Sequence, residues 1–303
     1  MPSTHSREAT NGTASQADER PSLLRLASLL EEWQFDAEAA HLAFTTGTPR
    51  GPITSLPSLD RELGGALAPG VHVLHAGPGV GKTAFALQVA ALSPFPALYL
   101  SAEMSALELF RRVTARVTST FLGRLRSGEL EPTASLALAR KAAAAAPQLT
   151  IADATQSWAP PEWIMATAQL LQGDASHLLL VVDSIHSWAE FEPEGIAEYD
   201  ALNAGLAALR RIARTIVCPI VAIAERNRPS MKDGGISAAA GSRKFEYGGE
   251  SVLSLSRDKD AAGDAAGDAP VTLMIEKNRN GAPGKKIKLL FNGALQRFRE
   301  ADR

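Results

Sequence analysis

A glycine-rich octapeptide, AGPGVGKT at 76–83, constrains this chain more than any other feature. It follows the apolar run VHVLHA and precedes TAFALQVAAL, a segment with the composition of a helix that packs on a sheet. A strand, a glycine-rich turn and a helix in this order predict a phosphate-binding loop, whose backbone N–H groups face phosphate oxygens at the positive end of the helix. The alternative is an ordinary glycine turn with an exposed lysine.

Each residue type in the loop has a distinct task in nucleotide binding. Gly77, Gly79 and Gly81 let the backbone turn its N–H groups inward. Lys82 is placed to reach the β and γ phosphates, and the hydroxyl of Thr83 is placed to hold Mg²⁺. The loop therefore predicts a bound nucleoside triphosphate and Mg²⁺, and its predicted nucleotide-binding residues are Ala76, Gly77, Pro78, Gly79, Val80, Gly81, Lys82 and Thr83.

The rest of the chain alternates short apolar runs with helix-length segments, which is typical of an α/β fold with a mostly parallel, twisted sheet flanked by helices. The predicted strands of that sheet are 71–76, 97–101, 148–153, 177–183 and 218–224. The predicted helices are 82–92, 105–118, 133–145, 160–172 and 198–216. After residue 250, the runs SVLSLS, VTLMIEK and KKIKLLFN predict a terminal group of antiparallel strands, the last two joined by NRNGAPG.

Three segments are predicted along the chain. Residues 1–20 are rich in Ser, Thr, Asn and Gly without periodicity, which predicts a disordered tail. Residues 21–49 predict an amphipathic helix or linker, since Leu23, Leu26, Leu30 and Trp33 recur at helical spacing. Residues 50–303 are predicted to form the ATPase domain.

Nothing in the sequence predicts a membrane or secretory location. The apolar runs fall short of the roughly 18 residues of a membrane span, and the N-terminus has no apolar core of a signal peptide. The single cysteine, Cys218, lies in an apolar run and predicts an inert core thiol. We therefore expect a cytoplasmic protein with no membrane partner.

Two acidic residues are candidates for work beside the loop. Asp183 closes the apolar run HLLLVV, at the end of a strand where ligands approach a parallel sheet, and is predicted to hold the metal. Glu103 lies just beyond the strand that follows the loop helix and could face the attacking water. The alternatives are a helix cap for Asp183 and a first-turn helix acid for Glu103.

The motifs together resemble a known family. The run from ITSLPSLDRELGG through AGPGVGKT, ALYLSAEMS, HLLLVVDS, PIVAIAERNR, GSRKFEYGGESVLSLSRD and EKNRNGAPGKKIKLLFNG is similar to the C-terminal ATPase domain of DnaB-type replicative helicases. That family has a RecA-like P-loop NTPase fold and acts as hexameric rings around single-stranded DNA. The resemblance covers about residues 50–300 and implies a homo-hexamer, single-stranded DNA as partner and an ATP-dependent helicase activity.

The resemblance also implies roles for individual residues. Glu103 becomes the catalytic base and Asp183 the second acid that holds Mg²⁺. Arg112, nine residues after Glu103, matches an arginine near the γ-phosphate. Lys277 and Arg279 match a hairpin that reaches the adjacent subunit's site, with Arg279 as the arginine finger. From residue type alone, a Lys and an Arg in a hairpin would be ordinary solvated surface.

The long loop at 225–250 falls where the family contacts DNA. Lys232, Arg243 and Lys244 are the candidate phosphate contacts, and a solvated flexible loop is the alternative. The chain as a whole has 31 basic and 33 acidic residues, a net charge of −2, so DNA attraction must be local and repeated around a ring.

Three departures from the family pattern leave the activity open. Glu225 stands where a glutamine sensor is usual, residues 1–50 are too short for the usual helical N-terminal domain, and Ala240 replaces an arginine of the DNA loop. The sequence therefore also allows two other functions. One is a regulatory or recombination-mediator ATPase of the RecA or KaiC kind without unwinding activity, and the other is a nucleotide-binding assembly module without catalysis. We also expect the helix at 22–40 to dock on a neighbouring subunit.

Overall fold

The computed structural model describes residues 23–190, 198–225, 248–257 and 267–301. The chain divides into two compact units, Met1–Thr48 and Pro49–Arg303. Within the described ranges, no helix is long and apolar enough to cross a lipid bilayer.

The described part of the N-terminal unit, from residue 23, contains a 3-10 turn and one helix. The turn Leu26–Leu29 leads into α1, Leu30–Thr46, which ends at Gly47 in the left-handed conformation with φ 67°. The helix thus extends beyond residue 40, the end expected from the sequence. Its apolar side chains are exposed, Trp33 to 76% and Phe44 to 87%.

In the larger unit, the described residues form one sheet of nine strands in the order β3-β2-β4-β5-β1-β6-β7-β8-β9. The strands β1 to β6 pair in parallel, and β6 to β9 pair antiparallel. Their bounds are β1 Gly70–Ala76, β2 Ala97–Ser101, β3 Leu149–Asp153, β4 Leu179–Asp183, β5 Pro219–Glu225, β6 Ser251–Arg257, β7 Asp268–Asn278, β8 Lys285–Asn292 and β9 Arg297–Glu300.

Helices cover both faces of the sheet. The helices of this unit are α2 Pro57–Glu62, α3 Lys82–Ala91, α4 Ala106–Thr118, α5 Arg124–Ser127, α6 Pro132–Ala145, α7 Pro161–Gln172, α8 Ile185–Ala189 and α9 Glu198–Thr215. One core lies between the sheet and α3 and α4, and the other lies between the sheet and α7, α8 and α9. Every residue of β2 and β4 is buried, because both faces of these strands are covered.

The predicted α/β fold class, with a mostly parallel sheet and antiparallel C-terminal strands, is confirmed. The predicted strands and helices lie within a few residues of the observed ones. The short elements α2, α5, α8 and β9 have no counterpart among the predicted ones, because four to six residues give too little periodicity. Cys218 is buried in the second core, and burial raises its thiol pKa to about 12, as expected for an inert thiol.

Candidate active site

The predicted phosphate-binding loop lies between β1, which ends at Ala76, and α3, which begins at Lys82. Gly79 and Gly81 have φ of 72° and 106°, values that favour glycine over residues with a side chain. The ammonium of Lys82 donates a hydrogen bond of 3.0 Å to the carbonyl of Ala76. The lysine is therefore folded back over the loop, at the place where a phosphate would compete for its protons.

Two stacked rings support the loop on the side of the sheet. The rings of Phe291 and Phe298 lie 4.3 Å apart at 17°, and the ring of Phe85 meets Phe298 edge-on at 5.5 Å. A Cβ on Gly81 would lie 2.9 Å from Phe298 and 3.0 Å from Phe291. Glycine at position 81 is thus favoured for two reasons: its positive φ, and the lack of space for a side chain beside the rings.

A buried glutamine fixes the loop helix to the C-terminal strand. The side chain of Gln88, on α3, accepts a hydrogen bond of 2.9 Å from the N–H of Phe298 and donates one of 3.0 Å to its carbonyl. Both backbone groups of Phe298 are satisfied by this one amide. Two buried hydrogen bonds therefore connect α3, the helix that follows the loop, to β9.

The carboxylate of Asp183 is the buried centre of the site. It lies at the end of β4, 1% exposed, and accepts a hydrogen bond of 2.7 Å from the hydroxyl of Tyr99. The side chain of Thr83 lies near enough to this carboxylate to lower its pKa. The helix that follows is capped by Ser184, whose side chain accepts from Ser187, so Asp183 is not that helix's cap.

Opposing effects set the acidity of Asp183. Burial and the nearby Glu103 raise its pKa, while the hydrogen bond from Tyr99, the side chain of Thr83 and the charge of Lys82 lower it, and the net pKa is about 6. Burial and the negative charge of Asp183 raise the pKa of Tyr99 well above 10, so this phenol stays a hydrogen-bond donor. The balance shows that Lys82, Thr83 and Glu103 all lie within electrostatic reach of Asp183.

Glu103 occupies an exposed bend between β2 and α4. Its carboxylate accepts a hydrogen bond of 3.1 Å from the hydroxyl of Ser187. Helix α4 begins at Ala106 with Ser105 as its cap, and Glu108 is its first-turn acid. Glu103 is therefore outside the helix and does not have the first-turn role that its position in the sequence also allowed.

Arg112 and Glu225 border the same edge of the sheet. The side chain of Arg112 donates to the carbonyl of Glu108 at 3.4 Å, and its charge partly opposes the rise that burial causes in the pKa of Tyr99. Glu225 pairs with Ala76 in the register of β5 and β1, and its N–H donates to the ring of His186 at 3.2 Å. Glu225 is thus beside the strand residue from which the phosphate loop starts.

Lys277 and Arg279 lie at the other end of the sheet. The ammonium of Lys277 donates to the carbonyl of Gly249 at 2.8 Å, and Arg279 is 3.6 Å from the carboxylate of Glu250. The N–H of Glu250 in turn donates to the carbonyl of Val71, at the start of β1. Since the seven residues of β1 span about 20 Å, Arg279 is far from the phosphate loop at the end of that strand.

The predicted residues thus fall into two groups and a remainder. Lys82, Thr83, Glu103 and Asp183 come together, and Lys277 and Arg279 form a separate pair. Lys232, Arg243 and Lys244, with Ala240, lie outside the described residues.

Sequence reasoning missed the partners of the acids, Tyr99 and Ser187. Ser187 lies four residues after Asp183, one turn into a helix, a spacing that could have indicated it. Tyr99 reaches Asp183 from another strand, and no local pattern marks that contact.

Residues 51–300 match the family described as DnaB-like helicase C terminal domain. Among curated proteins, the chain is 27% identical over 263 residues to the replicative DNA helicase DnaB of Treponema pallidum. That match covers 82% of this chain and 56% of the relative, so the chain spans about half the length of the curated relative.

Solved structures share the fold at low sequence identity. A DnaB-like replicative helicase, solved to show its interactions with primase, superposes with a TM-score of 0.76 at 18% identity, covering 95% of this chain and 69% of that one. A KaiC-like protein from Pyrococcus horikoshii superposes with a TM-score of 0.57 at 17% identity, covering 84% of this chain and 99% of that one.

Proposed function

Because this chain belongs to the family of DnaB-like helicase C-terminal domains, we propose that it is an ATP-hydrolysing DNA helicase or translocase of the DnaB type, acting in replication as a ring on single-stranded DNA. The observation that carries the proposal is the convergence of Lys82, Thr83 and Glu103 on the buried carboxylate of Asp183. Each of these groups suits one step of nucleotide hydrolysis.

The oxygen atoms of Thr83 and Asp183 suit a hard cation, and Thr83 lies near enough to Asp183 to lower the pKa of its carboxyl. We propose that they hold Mg²⁺, which when bound neutralises charge on the phosphates of ATP. The ammonium of Lys82 leaves the carbonyl of Ala76 to contact the β and γ phosphates. The N–H groups of the loop from Ala76 to Thr83 bind the remaining phosphate oxygens.

Glu103 is proposed as the base. Its carboxylate is exposed toward the site and is oriented by the hydroxyl of Ser187. It takes a proton from the water that attacks the γ-phosphate, while Tyr99 keeps the carboxylate of Asp183 in position. Arg112 adds positive charge at the same edge of the sheet.

The position of Arg279 supports assembly of several copies. An arginine about 20 Å from its own phosphate loop can act only on nucleotide bound by another copy. Lys277 and Arg279 then stabilise the charge of the transition state when the neighbour is correctly placed, which couples hydrolysis to the geometry of a hexameric ring.

The exposed apolar side chains of α1 also support a homo-oligomer. Trp33 and Phe44 are mostly exposed to solvent, and apolar groups of this size are stabilised by a covering surface. We propose that α1 docks on an adjacent copy. A chain lacking residues 1–45 should then form smaller oligomers in light scattering, and an unchanged oligomer would rule out this role.

The DNA contact is proposed to come from Lys232, Arg243 and Lys244, repeated in each subunit around the ring. Six copies of these three cations place repeated positive charges around the ring although each subunit is nearly neutral. Binding should weaken steeply as salt is raised. A cytoplasmic location remains a prediction.

The deciding experiment is steady-state ATP turnover with and without single-stranded DNA, at one fixed salt concentration. Strong stimulation by DNA supports the motor, and the Lys82→Ala chain gives the background rate. Absence of stimulation, with oligomers present in light scattering, would overturn the motor in favour of a regulatory ATPase.

A second function is favoured by one residue. Glu225 lies beside Ala76, at the edge of the site, and a carboxylate there repels phosphate. A RecA- or KaiC-like regulatory or recombination-mediator ATPase, which hydrolyses ATP slowly and changes the affinity for a partner, is compatible with such a residue.

A further inference from the structure

A cavity lies at the start of β1, at the end of the sheet opposite the phosphate loop. Its volume is about 310 Å³, which is at the lower end of the range for ligand pockets and is large enough to hold phosphate groups. Glu250, just before β6, and Arg279, just after β7, line it on one side, and Arg210 and Arg214 line it from α9. Arg279, the proposed arginine finger, thus shares this cavity with two arginines of α9, a helix that contains none of the sequence motifs.

Positive charge is concentrated around this cavity. Three arginines and one glutamate line it. Desolvation, followed by the charges of Arg214 and Arg279, lowers the pKa of Arg210. Desolvation and the charges of Arg279 and Arg210 lower the pKa of Lys277. Arg210 is therefore close enough to Arg214, Arg279 and Lys277 for repulsion between the charges, which an anion between them would relieve.

The guanidinium of Arg210 is held against the backbone. A Cβ on Gly248 would overlap its Nη2 and Cζ atoms, so the residue at 248 must lack a side chain for the arginine to lie where it does. A Cβ on Gly70 would likewise overlap the side chain of Glu250, which in turn faces Arg279. The two charged side chains are thus seated on glycines on either side of the cavity.

We propose that Arg210 and Arg279 form one anion site that receives the terminal phosphates of the nucleotide bound by an adjacent copy. This inference rests on the proposed function, since it requires the ring. It extends the finger from one hairpin residue to a pair on two elements, the β7–β8 hairpin and α9. Glu250 orients Arg279 until the phosphate arrives.

The two arginines differ in how they connect to the phosphate loop of their own copy. Helix α9, which carries Arg210, leads into β5, and β5 ends at Glu225 beside that loop. Arg210 is therefore joined to the loop's surroundings by one helix and one strand.

Arg210→Ala tests the inference, with Arg211→Ala as its matched control. Arg211 is the next residue on α9, but its side chain is exposed and pairs with Glu162 at 2.8 Å. We expect Arg210→Ala to lower kcat about tenfold or more, with binding of a fluorescent ATP analogue to the loop nearly unchanged. Arg210→Lys, which keeps the charge, should recover part of the rate, and Arg211→Ala should match the parent chain.

Mixed oligomers separate a role in the neighbour's site from a structural role. Arg210→Ala subunits mixed with Lys82→Ala subunits should regain turnover, because an intact phosphate loop then meets an intact pair of arginines at some interfaces. Arg279→Ala subunits mixed with Lys82→Ala subunits test whether an arginine of one copy acts on the nucleotide site of an adjacent copy.

Recovery with Arg279→Ala but not with Arg210→Ala would overturn the inference and leave the proposed function standing. Failure of both mixtures would overturn the two together. Arg210→Ala turnover equal to that of Arg211→Ala would also overturn the inference.

Discussion

The hydroxyl of Tyr99 donates a hydrogen bond of 2.7 Å to the buried carboxylate of Asp183, across two neighbouring strands of the sheet. Burial nevertheless raises the pKa of Asp183 to about 6, against an ordinary value of 3.8. The folded protein therefore holds a charged group at neutral pH that would be more stable in water. A buried carboxyl with a raised pKa at the C-terminal end of a parallel strand is typical of a functional site.

Asp183→Asn should stabilise the protein while it abolishes ATP turnover. Because the folded pKa is raised, the contribution of Asp183 to stability is fully present below pH 3.8 and is lost as pH rises through about 6. At pH 7.5 the variant should gain on the order of 2 kcal/mol. Urea unfolding in EDTA without nucleotide measures the gain, which should be about half as large at pH 5. Asp174→Asn, at an exposed loop position, is the control and should show no gain.

Lys82→Ala should abolish ATP turnover and weaken nucleotide binding. The ammonium donates to the carbonyl of Ala76, at the rim of the loop, so its removal disturbs little of the fold. We expect an unfolding temperature close to that of the parent chain and a turnover rate at background. Lys141→Ala, on the exposed side of α6, is the matched control. Turnover by Lys82→Ala above background would contradict the loop assignment.

Arg279→Ala should lower kcat by about a thousandfold, with nucleotide binding changed only a few-fold, because a finger acts on the transition state. Steady-state turnover and equilibrium binding of a fluorescent nucleotide separate the two effects. Arg124→Ala removes a surface arginine that pairs with Glu129 at 3.2 Å, and it should leave both quantities unchanged. Normal turnover by Arg279→Ala would remove the finger from the mechanism.

Gln88→Met should destabilise the protein by about 2 to 4 kcal/mol. The change keeps the volume of the side chain but leaves the N–H and the carbonyl of Phe298 without their partner in a buried place. Urea unfolding measures the loss, and Gln169→Met at an exposed position of α7 is the control. A loss as small as that of the control would mean that the rings of Phe291 and Phe298 hold β9 without the amide.

The sequence predicted the parallel part of the fold well, since buried parallel strands are continuous apolar runs. The predicted bounds of β2, 97–101, are those observed. The four residues of β9 form a strand because β8 and Gln88 pair with them, and no pattern in RFRE marks those distant partners.

The candidate site shows the same division. Lys82 and Asp183 lie in motifs that can be read locally, because the chemistry and the turn geometry require adjacent residues. Tyr99 and Arg210 take their places from contacts between elements far apart in the chain. Only the folded arrangement brings such residues to the site.

Glu225→Gln addresses the choice between a motor and a regulatory ATPase. The pairing of Glu225 with Ala76 brings a carboxylate beside the phosphate loop, where it repels the anionic nucleotide. Removal of about 1 kcal/mol of repulsion should lower the KM for ATP about fivefold, and the difference should shrink as salt is raised. Steady-state turnover against ATP concentration at two salt concentrations measures both effects. Glu190→Gln, an exposed acid at the end of α8, is the control and should leave KM unchanged. An unchanged KM for Glu225→Gln would mean that the carboxylate points away from the phosphates, and the argument for a regulatory ATPase would lose its support.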